Sequence, residues 1–320
     1  MIARYAVPLF LVIAFFAIPL AAYFLCRWLL PRRWGRHCGI ACACIIIGIA
    51  AYGMFFGFEQ LEVRHIEYAS PDIPEAFDGY RIVQFSDAHV GSMTGIHKGM
   101  LERAIDSIMG QHADMIVFTG DLQNILPEEL HEHLPQLCRL RATDGVLSVL
   151  GNHDYDCYQT GDSIAKQANC RMTCQMEREA GWSLLSNEHR IIRRGADSIV
   201  IGGMENWGEV KRMPRRGNVA QTLQGIDTTA FVVMLQHDPS AWRQKILPEC
   251  HAQLTLSGHT HGMQFAIFGW SPMSLKQNEW GGMFREGNRA LYVSTGLGGL
   301  VPFRLGLPGE IVVITLHHQP

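Results

Sequence analysis

Side chains that bind transition metals recur in short clusters along this chain. They are Asp87 and His89, Asp121, Asn152 with His153 and Asp154, His237, and His259 with His261. Imidazole nitrogens, carboxylates and amide oxygens together suit divalent ions such as Mn, Fe or Zn. Two such ions about 3.5–4 Å apart can activate a bridging hydroxide and hold a phosphoryl oxygen. The residue types therefore predict a site for divalent metal ions.

The last cluster shows how spacing can direct two imidazoles at one ion. In an extended chain, residues two apart point the same way, so His259 and His261 can face one site. Gly258 and Gly262 on either side let the backbone turn sharply and approach a ligand closely. By itself this pair fits two surface histidines on a turn equally well, and the other clusters decide between the two interpretations.

Each cluster follows an apolar run that has the length and composition of a buried strand. The runs are Tyr80–Phe85, Asp114–Thr119, Gly145–Leu150, Phe231–Leu235 and Leu254–Leu256. In open α/β sheets, ligands bind outside the carboxyl ends of the strands. One such cluster alone is typical of a turn, because Asp and Asn are common turn residues. Five in series predict a single crevice in which all of them meet.

In this order, the clusters resemble the motif set of the calcineurin-like metallophosphoesterases, and the resemblance extends from about Tyr80 to the C terminus. The fold of that family has two mixed β-sheets between layers of helices. The resemblance therefore implies an α/β fold, a four-layer α/β/β/α sandwich over residues 80–320, with residues 59–79 as a connector. It also implies an enzyme that hydrolyses phosphate esters.

The resemblance further assigns roles to the clustered residues. It implies one ion held by Asp87, His89 and His261, a second held by Asn152, His237 and His259, and a bridge between them from Asp121. His153 would then act as general acid for the leaving group and Asp154 would orient its ring. The alternative for His153 is a structural role away from the reaction.

Two apolar runs precede this domain. Tyr5–Cys26 and Cys38–Phe58 have the length that a membrane-spanning helix needs, about 20 residues. We predict a two-helix hairpin anchor over residues 1–58, and the alternative is a signal peptide followed by a buried helix. The segment between the runs carries Arg27, Arg32, Arg33 and Arg36. Positive loops favour the cytoplasmic side, so we expect a bacterial inner-membrane protein whose catalytic domain lies outside the cytoplasm.

Charge argues against nucleic acid as a partner. Five of the 27 basic residues lie in residues 1–58, which leaves 22 basic residues to face all 30 acidic ones, a formal charge of −8. Non-specific nucleic-acid binding needs a basic surface. The nine cysteines include no CxxC pair. Cys170 and Cys174 would share a helix face, and unpaired thiols are favoured there over a metal pair.

The motifs define phosphoryl chemistry and leave the substrate open. An anchor beside the bilayer favours a lipid-linked phosphate or pyrophosphate. The chain also resembles the UDP-2,3-diacylglucosamine pyrophosphatases of the same superfamily, whose substrate is cytoplasmic, in conflict with the sidedness predicted above. A non-catalytic, metal-bound module is the other alternative. Arg304 and Trp280 are candidates for substrate contacts, although a salt bridge and a core position, respectively, explain them as well. Trp270 has the same two interpretations as Trp280.

Overall fold

The computed structural model describes residues 2–158 and 162–319. The strands are β1 (Leu61–Ser70), β2 (Arg81–Phe85), β3 (Met115–Phe118), β4 (Val146–Ser148), β5 (Ser183–Leu184), β6 (Glu188–Arg194), β7 (Asp197–Gly203), β8 (Val232–Leu235), β9 (Leu254–Ser257), β10 (Gly282–Glu286), β11 (Arg289–Val293) and β12 (Gly309–His318). The helices are α1 (Ile2–Val12), α2 (Ile18–Leu29), α3 (Arg32–Tyr52), α4 (Met100–Met109), α5 (Leu130–Leu137), α6 (Ser163–Glu179), α7 (Val219–Thr222) and α8 (Leu247–Glu249). Single π-helical turns join α1 to α2 (Ile13–Ala17), extend α3 (Gly53–Gly57) and lead into α8 (Trp242–Ile246).

Two six-stranded sheets form the body of the described domain. Their strand orders are β1-β12-β2-β3-β4-β5 and β10-β11-β9-β8-β7-β6. Strands β2 to β5 run parallel to one another, and so do β7, β8, β9 and β11. Antiparallel pairs such as β12 with β2 make both sheets mixed, in agreement with the fold that the resemblance implied. Strand β1, which falls within the expected connector of residues 59–79, pairs with β12 as an edge strand.

Strand periodicity produces the four layers. Successive side chains of a strand point to opposite faces of its sheet, so each sheet has one inner and one outer apolar face. Ile82 of β2 and Val233 of β8 belong to the core between the sheets. Val83 belongs to the core that includes α4 and α5, while Val232 belongs to the core around Trp242 on the other outer face. The predicted α/β/β/α sandwich is confirmed.

Two long helical segments stand before the sandwich. Residues Tyr5–Leu29 and Arg32–Gly57 are long and apolar enough to cross a membrane, judged by length and composition. The turn between them consists of Leu30 and Pro31. The four arginines between the runs, to which the rule for positive loops was applied, lie at the ends of α2 and α3, where their high helix propensity is favourable.

Candidate metal centre

The clustered polar residues meet where parallel strands of the two sheets end. Asp87 and His89 follow β2, Asp121 follows β3, Asn152 follows β4, His237 follows β8, and His259 and His261 follow β9. Strands β2, β3 and β4 are neighbours in one sheet, and β8 and β9 are neighbours in the other. Their carboxyl ends therefore deliver ligands from both sides of the interface between the sheets.

One group of ligand atoms comprises Asp87, His89, Asp121 and His261, which could hold a metal ion together. The Nε2 atoms of His89 and His261 are 3.1 Å apart. His261 Nε2 lies 3.2 Å from Asp87 Oδ1, and His89 Nε2 lies 3.7 Å from Asp121 Oδ2. Ligands about 2.1 Å from one ion lie roughly 3.0–3.5 Å from each other, so the spacing matches a coordination shell.

A second group comprises Asp121, His237 and His259, and Asn152 completes it. His237 Nε2 lies 3.3 Å from Asp121 Oδ2 and 3.2 Å from Asn152 Oδ1. His259 Nδ1 is 3.2 Å from His237 Nε2. The other nitrogen of His237 donates to the carbonyl oxygen of Thr119 at 2.8 Å, which leaves Nε2 as the ligand atom. Asp121 belongs to both groups.

The charges of the site fit a divalent cation. Burial lowers the pKa of His89 to about 3, and burial also holds the pKa of His261 well below its ordinary value. Both imidazoles are therefore neutral, which is the form that binds a metal ion. Burial would lower the pKa of His237 as well, but the Asp121 carboxylate outweighs it and raises that pKa to about 10. The Asp121 carboxylate therefore favours a positive charge beside it, and a divalent ion supplies that charge.

Glycines make the close approach of the loops possible. A Cβ atom on Gly151 would lie 2.2 Å from Asp121 Oδ1, and one on Gly258 would lie 2.2 Å from Asp87 Oδ2. Both distances are far below van der Waals contact. Only glycine therefore fits beside these two carboxylates, as sequence reasoning anticipated for Gly258.

The ligands themselves adopt a strained backbone. Five of them have a left-handed conformation: Asp87 (φ 51°), His89 (φ 44°), Asp121 (φ 63°), His259 (φ 73°) and His261 (φ 52°). For a residue with a Cβ atom this conformation costs about 1–2 kcal/mol. Such strain persists only where the surrounding structure imposes it, and it concentrates at functional sites. The sequence contained no signal for it.

The carboxylate of Asp154 is one feature that imposes this conformation. It accepts hydrogen bonds from the backbone N–H groups of Asp121, Leu122, Gln123 and Gly151. Burial, together with the charge of Asp121, raises the pKa of Asp154 to about 7. The prediction that Asp154 orients the His153 ring is wrong, because its oxygens are directed at the backbone of two ligand loops.

A backbone carbonyl orients His153 instead. Its Nδ1 donates to the oxygen of Asn124 at 2.6 Å, so Nε2 is the nitrogen free to exchange a proton. Its backbone N–H donates to Asp121 Oδ1 at 2.8 Å, and its ring meets that of His89 edge to face at 4.6 Å between centroids. His153 thus lies directly beside the group of ligands that contains His89.

A cavity of about 300 Å³ opens over the ligands. Its lining comprises Asp121, Asn152, His153, Tyr158, Arg212, His259, His261 and Leu300. The Arg212 guanidinium lies over the Tyr158 ring, 5.3 Å from its centroid. A neighbouring cavity of about 580 Å³ shares Tyr158, Arg212 and His259 and adds Arg243 and Lys276. Tyr158 and Leu300 belong to none of the motifs found in the sequence.

Arg304 and Trp280, the two candidates for substrate contacts, differ in their surroundings. Arg304 is fully buried, and its guanidinium donates to the carbonyl oxygens of Thr295, Gly296 and Gly298. Arg304 therefore stabilises the glycine-rich loop behind Asp87. The predictions that it contacts phosphate or forms a salt bridge with a carboxylate are both wrong. Trp280 is half-buried, and its ring reaches within 3.0 Å of the Cβ position of Gly262.

Comparison with known proteins places this geometry in context. The sequence profile of the calcineurin-like phosphoesterases matches residues 80–263. The uncharacterized metallophosphoesterase YkuE of Bacillus subtilis is 30% identical over 275 residues, covering 83% of this chain and 88% of the relative. A transmembrane protein with a metallophosphoesterase domain from Danio rerio is 27% identical, and the match covers 84% of this chain but 60% of that protein.

Two further similarities are to a named enzyme and to a solved structure. The UDP-2,3-diacylglucosamine pyrophosphatase LpxG of Chlamydia trachomatis is 25% identical over 311 residues, covering 81% of this chain and 90% of the relative. The phosphopantetheinyl hydrolase PptH of Mycobacterium tuberculosis superposes with a TM-score of 0.44 at 13% identity, covering 70% of this chain and 91% of that structure.

Proposed function

This chain belongs to the calcineurin-like phosphoesterases, and on that premise we propose a membrane-anchored hydrolase of phosphate esters or pyrophosphates that uses two divalent ions. The observation that carries the proposal is the position of Asp121, whose carboxylate belongs to both groups of ligand atoms. Asp87, His89 and His261 would complete one shell. Asn152, His237 and His259 would complete the other.

Mixed imidazole and carboxylate shells suit Mn, Fe or Zn. When bound, the ions supply an activated water as nucleophile and offset charge on the phosphoryl oxygens. The chain itself supplies the proton for the leaving group. His153 lines the cavity, and because Nδ1 donates to Asn124, its Nε2–H can donate to the departing oxygen when the ring is protonated.

Arg212 is proposed to bind the anionic substrate at the cavity wall. A guanidinium presents two parallel N–H groups, which match two oxygens of one phosphate. The Tyr158 ring beneath it restricts its motion. The neighbouring cavity shares Tyr158, Arg212 and His259 with the first and would give room for an extended leaving group.

The bilayer is proposed as a partner because two helices have the length and composition of spans and relatives include a transmembrane protein. The four arginines at 27–36 lie at the hairpin end opposite the domain. The second segment continues into β1 at its other end, and Phe10 of the first contacts Phe303. Positive charge at a short turn favours the cytoplasmic side. We therefore propose a domain outside the cytoplasm and an external or outer-leaflet substrate.

One relative supports a second candidate for the substrate. LpxG is named as a UDP-2,3-diacylglucosamine pyrophosphatase, and a nucleotide-linked lipid of that kind would require the opposite orientation. Fusing alkaline phosphatase or a green fluorescent protein to the C terminus separates the two candidates. An active phosphatase with a dark fluorescent fusion supports the external domain, and the reverse pattern supports the cytoplasmic pyrophosphatase.

Turnover by the full chain tests the proposed chemistry. The protein in nanodiscs with added Mn should hydrolyse an aryl phosphate or a bis-aryl phosphate. Asp121→Asn should lose turnover by about a hundredfold or more, because a neutral amide replaces the carboxylate that belongs to both shells. His131→Ala, at an exposed position of α5, is the matched control and should behave as wild type. Full turnover in Asp121→Asn would overturn the proposal, and no turnover in the wild type would favour a non-catalytic metal-bound module.

A further inference from the structure

An uncharged, apolar segment follows the last of the metal-ligand histidines. Residues 263–275, called the apolar loop below, contain no Asp, Glu, Lys or Arg, and Lys276 comes directly after them. Its exposed large side chains are Met263, Ile267, Phe268, Trp270 and Leu275. A contiguous exposed apolar patch on a folded protein marks a binding surface. Trp270, considered for the core from sequence, is half exposed.

The tip of the apolar loop presents one phenylalanine to solvent. Ile267 and Trp270 pair through two backbone hydrogen bonds of 2.9 and 3.0 Å, with Phe268 (φ 49°) and Gly269 (φ 78°) between them. Two left-handed residues in a two-residue turn strongly favour Asn followed by Gly. Phe268 adopts this unfavourable conformation and is 105% exposed, so the fold gains nothing from its ring.

The apolar loop begins against the domain end of the helical hairpin. Gln264 Nε2 donates to the carbonyl oxygens of Val301 and Phe303 at 2.9 and 2.7 Å. The Phe303 ring in turn stacks on Phe10 at 4.9 Å between centroids and closes on Gly53, where a Cβ would lie 2.3 Å away. One layer of chain, residues 301–305, thus separates the loop from the proposed membrane spans.

The lengths of the spans place this contact at the membrane interface. They have 25 and 26 residues, or about 38 Å at 1.5 Å per residue, which exceeds an apolar core of about 30 Å. Gly53 lies four residues before the end of the second span at Gly57, about 6 Å along the helix. Because the span exceeds the core by only about 4 Å at each end, Phe303 lies at the edge of the apolar core, where the head groups begin. The apolar loop starts from that level.

A second exposed apolar residue lies beside the hairpin. Ile96 is 67% exposed, and the neighbouring His97 holds Glu59, two residues beyond the span, at 2.9 Å. Leu300, which lines the metal cavity, comes only three residues before Phe303 in the chain. The cavity wall and the exposed apolar residues thus both lie near the domain end of the hairpin.

We propose that the apolar loop and Ile96 insert into the bilayer interface and that the metal cavity takes amphiphilic phosphates directly from the membrane. Aromatic residues such as Phe268 and Trp270 favour the interfacial layer, and Lys276 can pair with anionic head groups. The phosphate enters the cavity while the hydrocarbon part of the substrate stays in the bilayer beside Leu300. The substrate class rests on the proposed function, whereas the position of the loop does not.

Fluorescence quenching tests the position of the loop. Full-length protein is placed in phosphatidylcholine nanodiscs with and without bromine on the acyl chains, which quenches nearby tryptophan. Trp270→Phe should lose part of the quenched fluorescence, whereas Trp207→Phe, which removes an indole between Arg215 and Lys245, should not. The span residues Trp28 and Trp34 contribute equally to all samples. Equal quenched amplitudes in Trp270→Phe and wild type would overturn the proposal.

Paired substrates test the route into the cavity. Nitrophenyl phosphate diesters with a hexadecyl or a methyl chain share one reaction and differ only in their membrane anchoring. Phe268→Asp should lower turnover of the hexadecyl ester by about tenfold or more and leave that of the methyl ester unchanged. Phe268→Leu and Ile164→Asp, the latter at an exposed position of α6, should match wild type.

Other outcomes overturn either the inference or the function. An equal loss of turnover on both esters in Phe268→Asp would mean that the loop serves the metal site and not the bilayer. A change from dimer to monomer in detergent, with unchanged quenching, would mean that the loop contacts a second copy of the chain. If the wild type hydrolyses neither ester, the proposed function fails, and the quenching experiment still decides where the loop lies.

Discussion

Replacing Gly151 with alanine should disable the metal centre through a single methyl group. The added Cβ would lie 2.2 Å from Asp121 Oδ1 and 2.5 Å from the Asp121 nitrogen, where an ordinary contact needs about 3.5 Å. Neither partner can yield easily, because the N–H groups of Gly151 and Asp121 both donate to Asp154 Oδ2, at 2.9 and 2.8 Å. The two loops must therefore separate by about 1 Å.

A displacement of that size should lower kcat/KM about a hundredfold and reduce the metal bound per chain. The assay combines turnover of a bis-aryl phosphate with metal analysis and thermal unfolding of the full chain. Gly145→Ala is the matched control, because Gly145 has a left-handed backbone (φ 88°) with no atom within 4 Å of the added Cβ. It should lower Tm and leave turnover and metal content intact. Wild-type turnover and metal content in Gly151→Ala would refute the close packing of the two ligand loops.

Three further predictions concern the proton donor, the cavity wall and the buried carboxyl of Glu177. His153→Ala should slow hydrolysis of an alkyl phosphate by about 10²–10⁴-fold and hydrolysis of a nitrophenyl phosphate far less, because only the alkoxide is a leaving group that needs a proton. Equal losses on the two substrates would exclude His153 as the general acid. Arg212→Gln should lower kcat/KM about 10–100-fold, mainly by raising KM, whereas Arg215→Gln on the same loop should leave kcat/KM unchanged. An unchanged KM in Arg212→Gln would count against phosphate binding by Arg212. Burial, with the charge of Asp154 adding to it, raises the pKa of Glu177 well above its ordinary value. The folded state therefore keeps a proton that the unfolded chain releases. Stability is highest below the unfolded pKa of about 4.3 and falls by about 1.4 kcal/mol per pH unit as the pH rises towards the folded pKa. Glu177→Gln should therefore flatten the decline of Tm between pH 5 and 8, while the exposed Glu188→Gln should not, and a parallel decline in Glu177→Gln would show that another group causes it.

Local patterns along the chain were sufficient to predict the architecture. The strand before Asp87 was expected at Tyr80–Phe85 and lies at Arg81–Phe85, because a short and mainly apolar run favours a buried strand. The convergence of the ligands also follows from sequence, since each follows a strand and parallel strands end at the same edge of a sheet. Cys170 and Cys174, which were expected on one helix, both lie in α6 (Ser163–Glu179).

Local sequence patterns could not predict the contacts between distant loops. Asp154 was assigned to its sequence neighbour His153, but it binds backbone N–H groups some 30 residues earlier, at Asp121 to Gln123. Arg304 was expected to meet an anion, and it is buried among carbonyl oxygens. These partners depend on how loops pack in three dimensions. Charge and residue type alone do not reveal that packing, nor do they reveal the left-handed backbone of the ligands.

The shared position of Asp121 is the central claim, and magnetic resonance of the Mn-loaded full chain tests it most directly. Two Mn ions about 3.5–4 Å apart that share a bridging carboxylate give an exchange-coupled spectrum. We predict two ions per chain with that coupled signal in the wild type, and loss of the coupling in Asp121→Asn while Gly145→Ala keeps it. An uncoupled signal from a single Mn per chain in fully active wild-type protein would contradict the account.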